Sequence, residues 1–455
     1  MGQLAVNLEL VRKYNVAGPR YTSYPTAPHF SEAVTWAVIE PWVRQNNVEA
    51  RELSLYFHLP FCRSLCWFCG CNSVITQKQE QSARYLAALK TEVIRLAPLL
   101  NPRRPVVQLH FGGGTPTFLL PDEIRALGEL IHAHFHLADH AEAGVEIDPR
   151  GVTEDHLRAL RQVGFNRISM GVQDHDPVVQ KAVHRLRPRE LNIRMVSWIR
   201  QAGFQSLNLD LMYGLPFQTA ASFEKTLDDI LELRPDRLAV FNYAHIPWLK
   251  RAQRVLKALP TPEDKLAILK LTIEKLTGNG YVYIGMDHFA LEDDELAVAQ
   301  RHKTLQRNFQ GYSTHGGADI YGFGLSSISQ TDRVYWQNHK ELPAYYAALE
   351  AGQFPQVKGY ILSDDDQRRR QTIMRLMCDL GLDYPALSRE LGLDAGRYFA
   401  AEIAGMDDLE ADGLVRRFPD HLEVTDLGRL LIRNLAMRFD AYLPRETARP
   451  FSRTI

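Results

Sequence analysis

The sequence predicts an α/β protein: a partial (β/α)6 TIM-like barrel, preceded by an amino-terminal arm and followed by a mainly helical, winged-helix-like carboxyl-terminal domain. Three observations predict it. Short β-prone runs alternate with longer helical patterns from about residue 53 to 285, four of the five cysteines crowd together just after the first run, and helical periodicity returns from Ser363 onward. With 455 residues, 45% apolar and 24% charged, the chain has an ordinary globular composition and length for roughly two or three domains. Its 53 basic and 54 acidic residues balance to a formal charge of -1, so no bulk field gathers nucleic acid or anionic membrane. No apolar run reaches the ~18 residues of a membrane span, and the opening MGQLAVNLELVRKYN lacks the pattern of a secretory leader. A cytoplasmic location is expected.

Residues 1–50 read as the arm. Its segment RYTSYPTAPHF, Arg20 to Phe30, is rich in Tyr, Thr and Pro and reads as extended rather than helical. Residues 51–285 form the barrel, with strands expected at LSLYFHL, VVQLHF, GVEID, RISMGV, SLNLDLM and RLAVFNYA. Helical segments such as PDEIRALGELIHAHF and TEDHLRALRQVG join them. Such alternation implies a parallel sheet with right-handed crossovers, whose chemistry gathers at the carboxyl ends of the strands. There stand His58, the run Gly112 to Thr115, Glu146 with Asp148, Gln173, Asp210, and Tyr243 with Ala244. The glycines of HFGGGTPT are expected to let a ligand approach the backbone, although they lack the pattern of a nucleotide P-loop. Glu146 and Asp210 suit recognition of a hydroxyl or an ammonium, or else ion pairing to Arg167 or Arg185.

Residues 286–360 read as a barrel extension. Within it, Gly311 to Ser329 is rich in Gly, Ser and Tyr and reads as a loop long enough to line a pocket. Residues 361–455 begin with the helical DDDQRRRQTIMRLMCDLG. A short turn, a strand expected at HLEVT and the helical DLGRLLIRNLAMRFDAYL follow. Helix, hairpin and helix resemble a winged-helix module, but without a basic excess Arg368, Arg369 and Arg370 read mostly as a solvated face.

Cys62, Cys66 and Cys69 follow the spacing C-x3-C-x2-C. One looping segment of this kind suits a cuboidal iron-sulfur cluster better than zinc, which usually takes two separated ligand pairs. Under a zinc reading His58 would be the fourth ligand, and a thioredoxin-like pair at Cys66 and Cys69 is made awkward by the additional thiols. Three thiolates on a [4Fe-4S] cluster leave one iron open for a substrate or cofactor. Cys71, separated from Cys69 by Gly70 alone, is assigned outside the ligand set.

Together, YFHLPFCRSLCWFCGCN, HFGGGTPT, VEIDPR, RISMGVQD, LDLMYGLP and NFQGYST resemble the oxygen-independent coproporphyrinogen III oxidase (dehydrogenase) family of the radical S-adenosylmethionine (SAM) superfamily. RYTSYPTA, the Cys-Gly-Cys-Asn ending of the thiol loop and the terminal FSRTI narrow the likeness to this family. The resemblance implies cluster ligation by Cys62, Cys66 and Cys69, with the amine and carboxylate of SAM on the open iron. It places Tyr56, Gly113, Glu146, Gln173, Arg185 and Asp210 around the cofactor, Tyr56 and Glu146 among the catalytic residues. It also implies a second SAM molecule, with Phe68, Gly114, Thr115, Ala244 and Ile328 contributing to the two cofactor sites. Phe309 and Gln310 match an active-site loop, and Arg20 to Thr26 an arm that covers the active site.

The substrate so implied is coproporphyrinogen III, with two propionates converted to vinyl groups to give protoporphyrinogen IX in haem biosynthesis. Removing hydrogen from an unactivated carbon lies beyond any side-chain base, whereas a radical made by one-electron cleavage of SAM can do it, and the protein supplies placement and a dry pocket. An electron donor such as flavodoxin or ferredoxin is implied, and a monomer is the default expectation. Two rivals stand beside this reading. The related haem chaperone looks to have Phe where Cys71 stands and to lack the RYTSYPTA arm; a metal-stabilised winged-helix DNA-binding protein would be colourless and zinc-loaded.

Overall fold

The computed structural model describes residues 6–48 and 51–443; the first five residues and the FSRTI end lie outside them. The chain divides into two compact units, one of residues 30–260 with 317–361, the other of the described residues of 1–29, 261–316 and 362–455. Both are discontinuous in sequence, unlike the contiguous segments expected above.

In the first unit, β1 (Leu53–Leu59), β2 (Val106–Gly113), β3 (Leu137–Ile147), β4 (Arg167–Gln173), β5 (Ser206–Tyr213) and β6 (Arg237–Asn242) coincide with the six expected runs. Each pairs in parallel with the next. A further parallel neighbour comes from a stretch expected to be a loop: β7 (Asp319–Phe323) lies on the other side of β1. From there the sheet continues antiparallel through β8 (Ile328–Gln330), β9 (Val334–Asn338) and β10 (Gln356–Ile361). The strand order is linear, so the barrel is open.

Alternation along the strands makes this sheet two-faced. In β1, Leu53, Leu55, Phe57 and Leu59 point one way and Ser54, Tyr56 and His58 the other. On the apolar side Phe57 stacks on Phe323 at 4.8 Å and meets Phe111 edge-on at 5.5 Å, and Phe111 meets Phe165 at 4.6 Å. Each buried phenyl contributes about 1.5–3 kcal/mol. The crossover helices Pro121–His134 and Glu154–Val163 are those expected. The second starts at Thr153, whose side chain accepts from the His156 amide, and ends at the left-handed Gly164.

The second unit packs Ile373, Leu376, Met377, Leu387, Phe399, Leu409, Leu414, Leu422, Leu435 and Phe439 into one core with Tyr21 and Tyr24 of the arm. Its helix Asp364–Asp379 is followed by a small antiparallel sheet in the order 381–383, 421–424, 415–417. The expected final helix is interrupted: Leu431 leaves helical geometry (φ -108°, ψ 20°) between Asp426–Leu430 and Ile432–Ala436. The arm is stapled to its own unit. Arg20 pairs with Asp287 at 2.6 Å, the Tyr21 hydroxyl donates to Asp440 at 2.8 Å, and Arg307 donates to the Tyr21 and Arg20 carbonyls at 3.3 Å.

Candidate active site

Parallel register sets the polar parity of neighbouring strands side by side, opposite the phenyl layer. Tyr56 of β1 lies against His110 of β2, ring centroids 5.9 Å apart and nearly coplanar. His110 Nε2 reaches Glu146 Oε1 at 3.4 Å, and Glu146 Oε2 accepts from the Gly113 amide at 3.2 Å. Two strands on, Asp210 accepts from Ser169 Oγ at 3.1 Å and from Asn208 Nδ2 at 2.7 Å. Burial pushes both acids up, with different outcomes. At Glu146 the hydrogen bond and charge of His110, with the Gly113 amide, outweigh burial and hold it below the usual carboxylate value. At Asp210 burial, followed by the negative charge of Glu146, prevails and lifts the carboxyl to about 6. Neither acid has an arginine partner among the described residues, so the ion-pair alternative does not form: Arg185 pairs with Asp148 at 3.0 Å and Arg167 faces Glu142 at 3.8 Å.

The glycine run makes a tight connection. A Cβ on Gly114 would sit 2.3 Å from the Pro60 carbonyl oxygen, and one on Gly113 (φ +115°) would press on the His58 ring at 2.7 Å. The chain's own atoms fill the room the missing side chains leave. Gly114 N donates to Leu59 O and Thr115 N to Phe61 O, both at 2.9 Å, tying β2 to the root of the thiol loop.

That loop is closed at its base by parallel pairing of Phe61–Cys62 with Val74–Ile75. Cys66 and Phe68 are buried against Val179, Val183, Leu215, Tyr243 and Leu256. Trp67 donates its amide to the Val183 carbonyl at 3.0 Å and stacks on His184. Cys62 Sγ lies 3.3 Å from Thr115 Oγ1. Arg185 Nη1 donates to Cys66 Sγ at 3.1 Å and Arg150 Nη2 approaches it at 3.7 Å, both guanidiniums being held by Asp148. Burial pushes the Cys62 thiol up to about 11. Cys69 is lowered to about 6, first by its hydrogen bond with Cys71 and then, against burial, by Lys250 and Arg185; the same hydrogen bond raises Cys71.

His58 is no fourth ligand. Its Nε2 lies 2.9 Å from the Asn72 carbonyl, which can only accept, so Nε2 carries the proton and Nδ1 accepts from the Tyr56 hydroxyl at 3.1 Å. Among the described residues no three His, Cys, Asp or Glu side chains gather tightly enough to hold a single metal ion. The donors suit a wider group instead: three thiols on one loop, cations beside one sulfur, and polar groups at the adjoining strand ends. One of those groups lacks a partner. Gln173, left-handed at φ +70°, keeps Oε1 buried with no hydrogen-bond partner among the described residues, as a residue awaiting a donor from a cofactor would. Its neighbour Gly171 gives its carbonyl to Arg185 at 3.0 Å.

Tyr56, Cys62, Cys66, Phe68, Cys69, Gly113, Gly114, Thr115, Glu146, Gln173, Arg185 and Asp210 therefore all lie at or beside the strand ends and thiol loop of one unit. Ala244 is exposed just past β6, and Ile328 opens β8 opposite Gln337. Phe309 and Gln310 belong to the second unit, at the tip of the hairpin formed by Gln306–Asn308 and Gly311–Ser313. His110, Arg150, Ser169 and Asn208 were not singled out from the sequence. Parity offers a signal for two of them, since His110 stands two residues before Gly112 and Asn208 two before Asp210.

Residues 56–230 match the radical SAM superfamily, and residues 362–431 the HemN C-terminal domain. An oxygen-independent coproporphyrinogen III oxidase of Synechocystis is 48% identical over 98% of this chain and 97% of its own length. The chain belongs to the oxygen-independent coproporphyrinogen III oxidases. A member from Escherichia coli is 47% identical over the whole of this chain and 99% of its own. The solved structure of Escherichia coli coproporphyrinogen III oxidase (HemN), described as a radical SAM enzyme, superimposes with a TM-score of 0.92. It is 45% identical and covers 97% of this chain and all of its own. As a member of this oxidase family the chain is a radical SAM oxidoreductase, for which the family implies a [4Fe-4S] cluster and SAM. Among the described residues no helix is long and apolar enough to cross a membrane.

Proposed function

We propose that this chain converts two propionate side chains of coproporphyrinogen III to vinyl groups, giving protoporphyrinogen IX without oxygen in haem biosynthesis. The end-to-end likeness to oxidases acting on that substrate carries the reading. Each conversion removes one hydrogen atom, one electron and carbon dioxide, and leaves a carbon-carbon double bond. When bound, the cluster and SAM supply the carbon radical able to take that hydrogen.

The chain's own residues place these groups. Cys62, Cys66 and Cys69 would hold the cluster, and the cations of Arg185 and Arg150 would stabilise negative charge on the sulfur of Cys66. Gln173, with its unpartnered Oε1, would accept a hydrogen bond from SAM. Asp210 and Glu146, each fixed by the donors that orient it, would accept from a ribose hydroxyl or the amino group of SAM. Tyr56, whose hydroxyl bonds His58 and whose ring lies on His110, would stand beside the cofactor. Phe68, Gly113, Gly114, Thr115, Ala244 and Ile328 would contribute to sites for two SAM molecules, and Phe309 and Gln310 would belong to a substrate loop.

The test is anaerobic incubation of the reconstituted chain with reductant, SAM and coproporphyrinogen III. Vinyl-bearing product together with 5'-deoxyadenosine is expected. Cofactor cleavage without porphyrinogen product would overturn the assignment in favour of the haem chaperone.

A further inference from the structure

The thiol loop is gripped from outside by the segment that follows β6. Within residues 244–260, Gln253 is buried and donates to the Phe68 carbonyl at 3.1 Å, and Lys250 Nζ donates to the Cys71 carbonyl at 2.9 Å. The segment is itself folded tightly, since the Ile246 amide donates to Gln253 Oε1 at 2.6 Å and the Lys250 amide returns to the Ile246 carbonyl at 2.9 Å. Its inner side thus fixes two carbonyls flanking Cys69.

Its outer side has a different composition. Trp248, Leu249 and Val255 are 60%, 67% and 52% exposed, and Phe217, whose amide bonds the Ala258 carbonyl of the same segment, is 54% exposed. Among these apolar groups stand the exposed cations Arg251, Arg254 and Lys257. Residues 244–260 hold four basic residues and no acidic one, in a chain whose formal charge is only -1. Arg254 donates to the Pro247 carbonyl at 3.2 Å, and none of the three exposed cations meets a carboxylate among the described residues. Exposed apolar groups and unneutralised cations on one short segment have the composition of an interface, not of an idle surface.

We propose that this face, centred on Trp248 and Leu249, is the docking surface for an acidic, low-potential one-electron carrier protein that reduces the cluster. The inference rests on the proposed function, which needs one electron delivered to the thiol loop. Two features select this occupant. The cationic rim complements an acidic protein and steers its approach, and the face is joined through Gln253 and Lys250 to the loop bearing the cluster ligands, so a carrier seated there delivers its electron over a short path. The carrier loses one electron, the cluster gains one, and no bond forms or breaks. Electron-transfer contacts of this kind are small and transient, in keeping with a patch of a few apolar residues.

The test compares the full chain with W248E/L249E and with R251E/R254E/K257E, none of which changes a residue of the cofactor site. Binding of oxidised flavodoxin to the chain, before any cluster is loaded, is measured by calorimetry at low and high salt. Both variants should bind at least tenfold more weakly, and the salt dependence of the wild type should be lost in the charge-reversed chain. After reconstitution, the rate of cluster bleaching at ~400 nm by reduced flavodoxin should fall tenfold or more in both, while bleaching by dithionite stays unchanged. Wild-type affinity in both variants, or an equal fall with dithionite, overturns the docking surface. Failure of the wild type to make vinyl product with dithionite would instead strike the proposed function alone.

Discussion

Replacing Asp210 by Asn should weaken SAM binding and erase a pH dependence that the wild type shows. Asp210 accepts from Ser169 and Asn208 on its protein side and, in the proposed site, from a ribose hydroxyl on the other. A hydrogen bond to a charged acceptor contributes about 1.5–3 kcal/mol, so D210N should bind the cofactor roughly 10- to 150-fold more weakly. Because burial and Glu146 lift the carboxyl to about 6, roughly nine in ten of these groups carry a proton at pH 5 and one in ten at pH 7. Wild-type affinity should therefore rise by up to about tenfold from pH 5 to 7, while D210N stays flat. Glu146→Gln removes the like charge and should move the midpoint of the rise downward. Calorimetric titration of SAM into the reconstituted, oxygen-protected chain reads all three. A D210N chain that binds as the wild type does, or that keeps the rise with pH, would refute the role given to Asp210.

Glu92 is fully buried, accepts from the Gly324 amide at 2.8 Å and from Asn338 and Tyr345 at 2.7 Å, and burial pushes its carboxyl up to about 7. A carboxyl raised above its unfolded value near 4.5 makes stability fall as pH rises through that window, here by about 3 kcal/mol between pH 4.5 and 7. Urea midpoints should show this fall in the wild type and not in Glu92→Gln. Gly114→Ala drives a methyl into the Pro60 carbonyl and should cost about 1–3 kcal/mol in the same titration; an unchanged midpoint would show that the root of the thiol loop gives way freely. Cys66→Ala should abolish iron loading and cofactor cleavage, whereas Cys378→Ala, altering a buried thiol of the other unit, should leave both intact in iron and 5'-deoxyadenosine assays.

How much of this was legible in the sequence follows from the range of the interactions. The six strands announced themselves because alternation such as Leu53, Leu55, Phe57 against Ser54, Tyr56, His58 is local. β7 did not, since its short apolar run is broken by Gly322 and surrounded by Gly, Ser and Tyr, and only pairing with β1 makes it a strand. The thiol spacing marks out the loop that Phe61–Cys62 and Val74–Ile75 close at its base. The cations beside Cys66 lie 84 and 119 residues from it in sequence, so no local pattern joins them. The glycine run is legible as a tight connection, but its neighbours are not: Pro60 and His58, which lie against Gly114 and Gly113, stand on a neighbouring strand or its exit.

The most direct measurement is the iron and acid-labile sulfide content of the chain after anaerobic reconstitution. About four of each per chain, with an absorbance near 400 nm that bleaches on one-electron reduction, is the predicted result. A colourless chain that binds zinc, or neither metal, would contradict the account at its root.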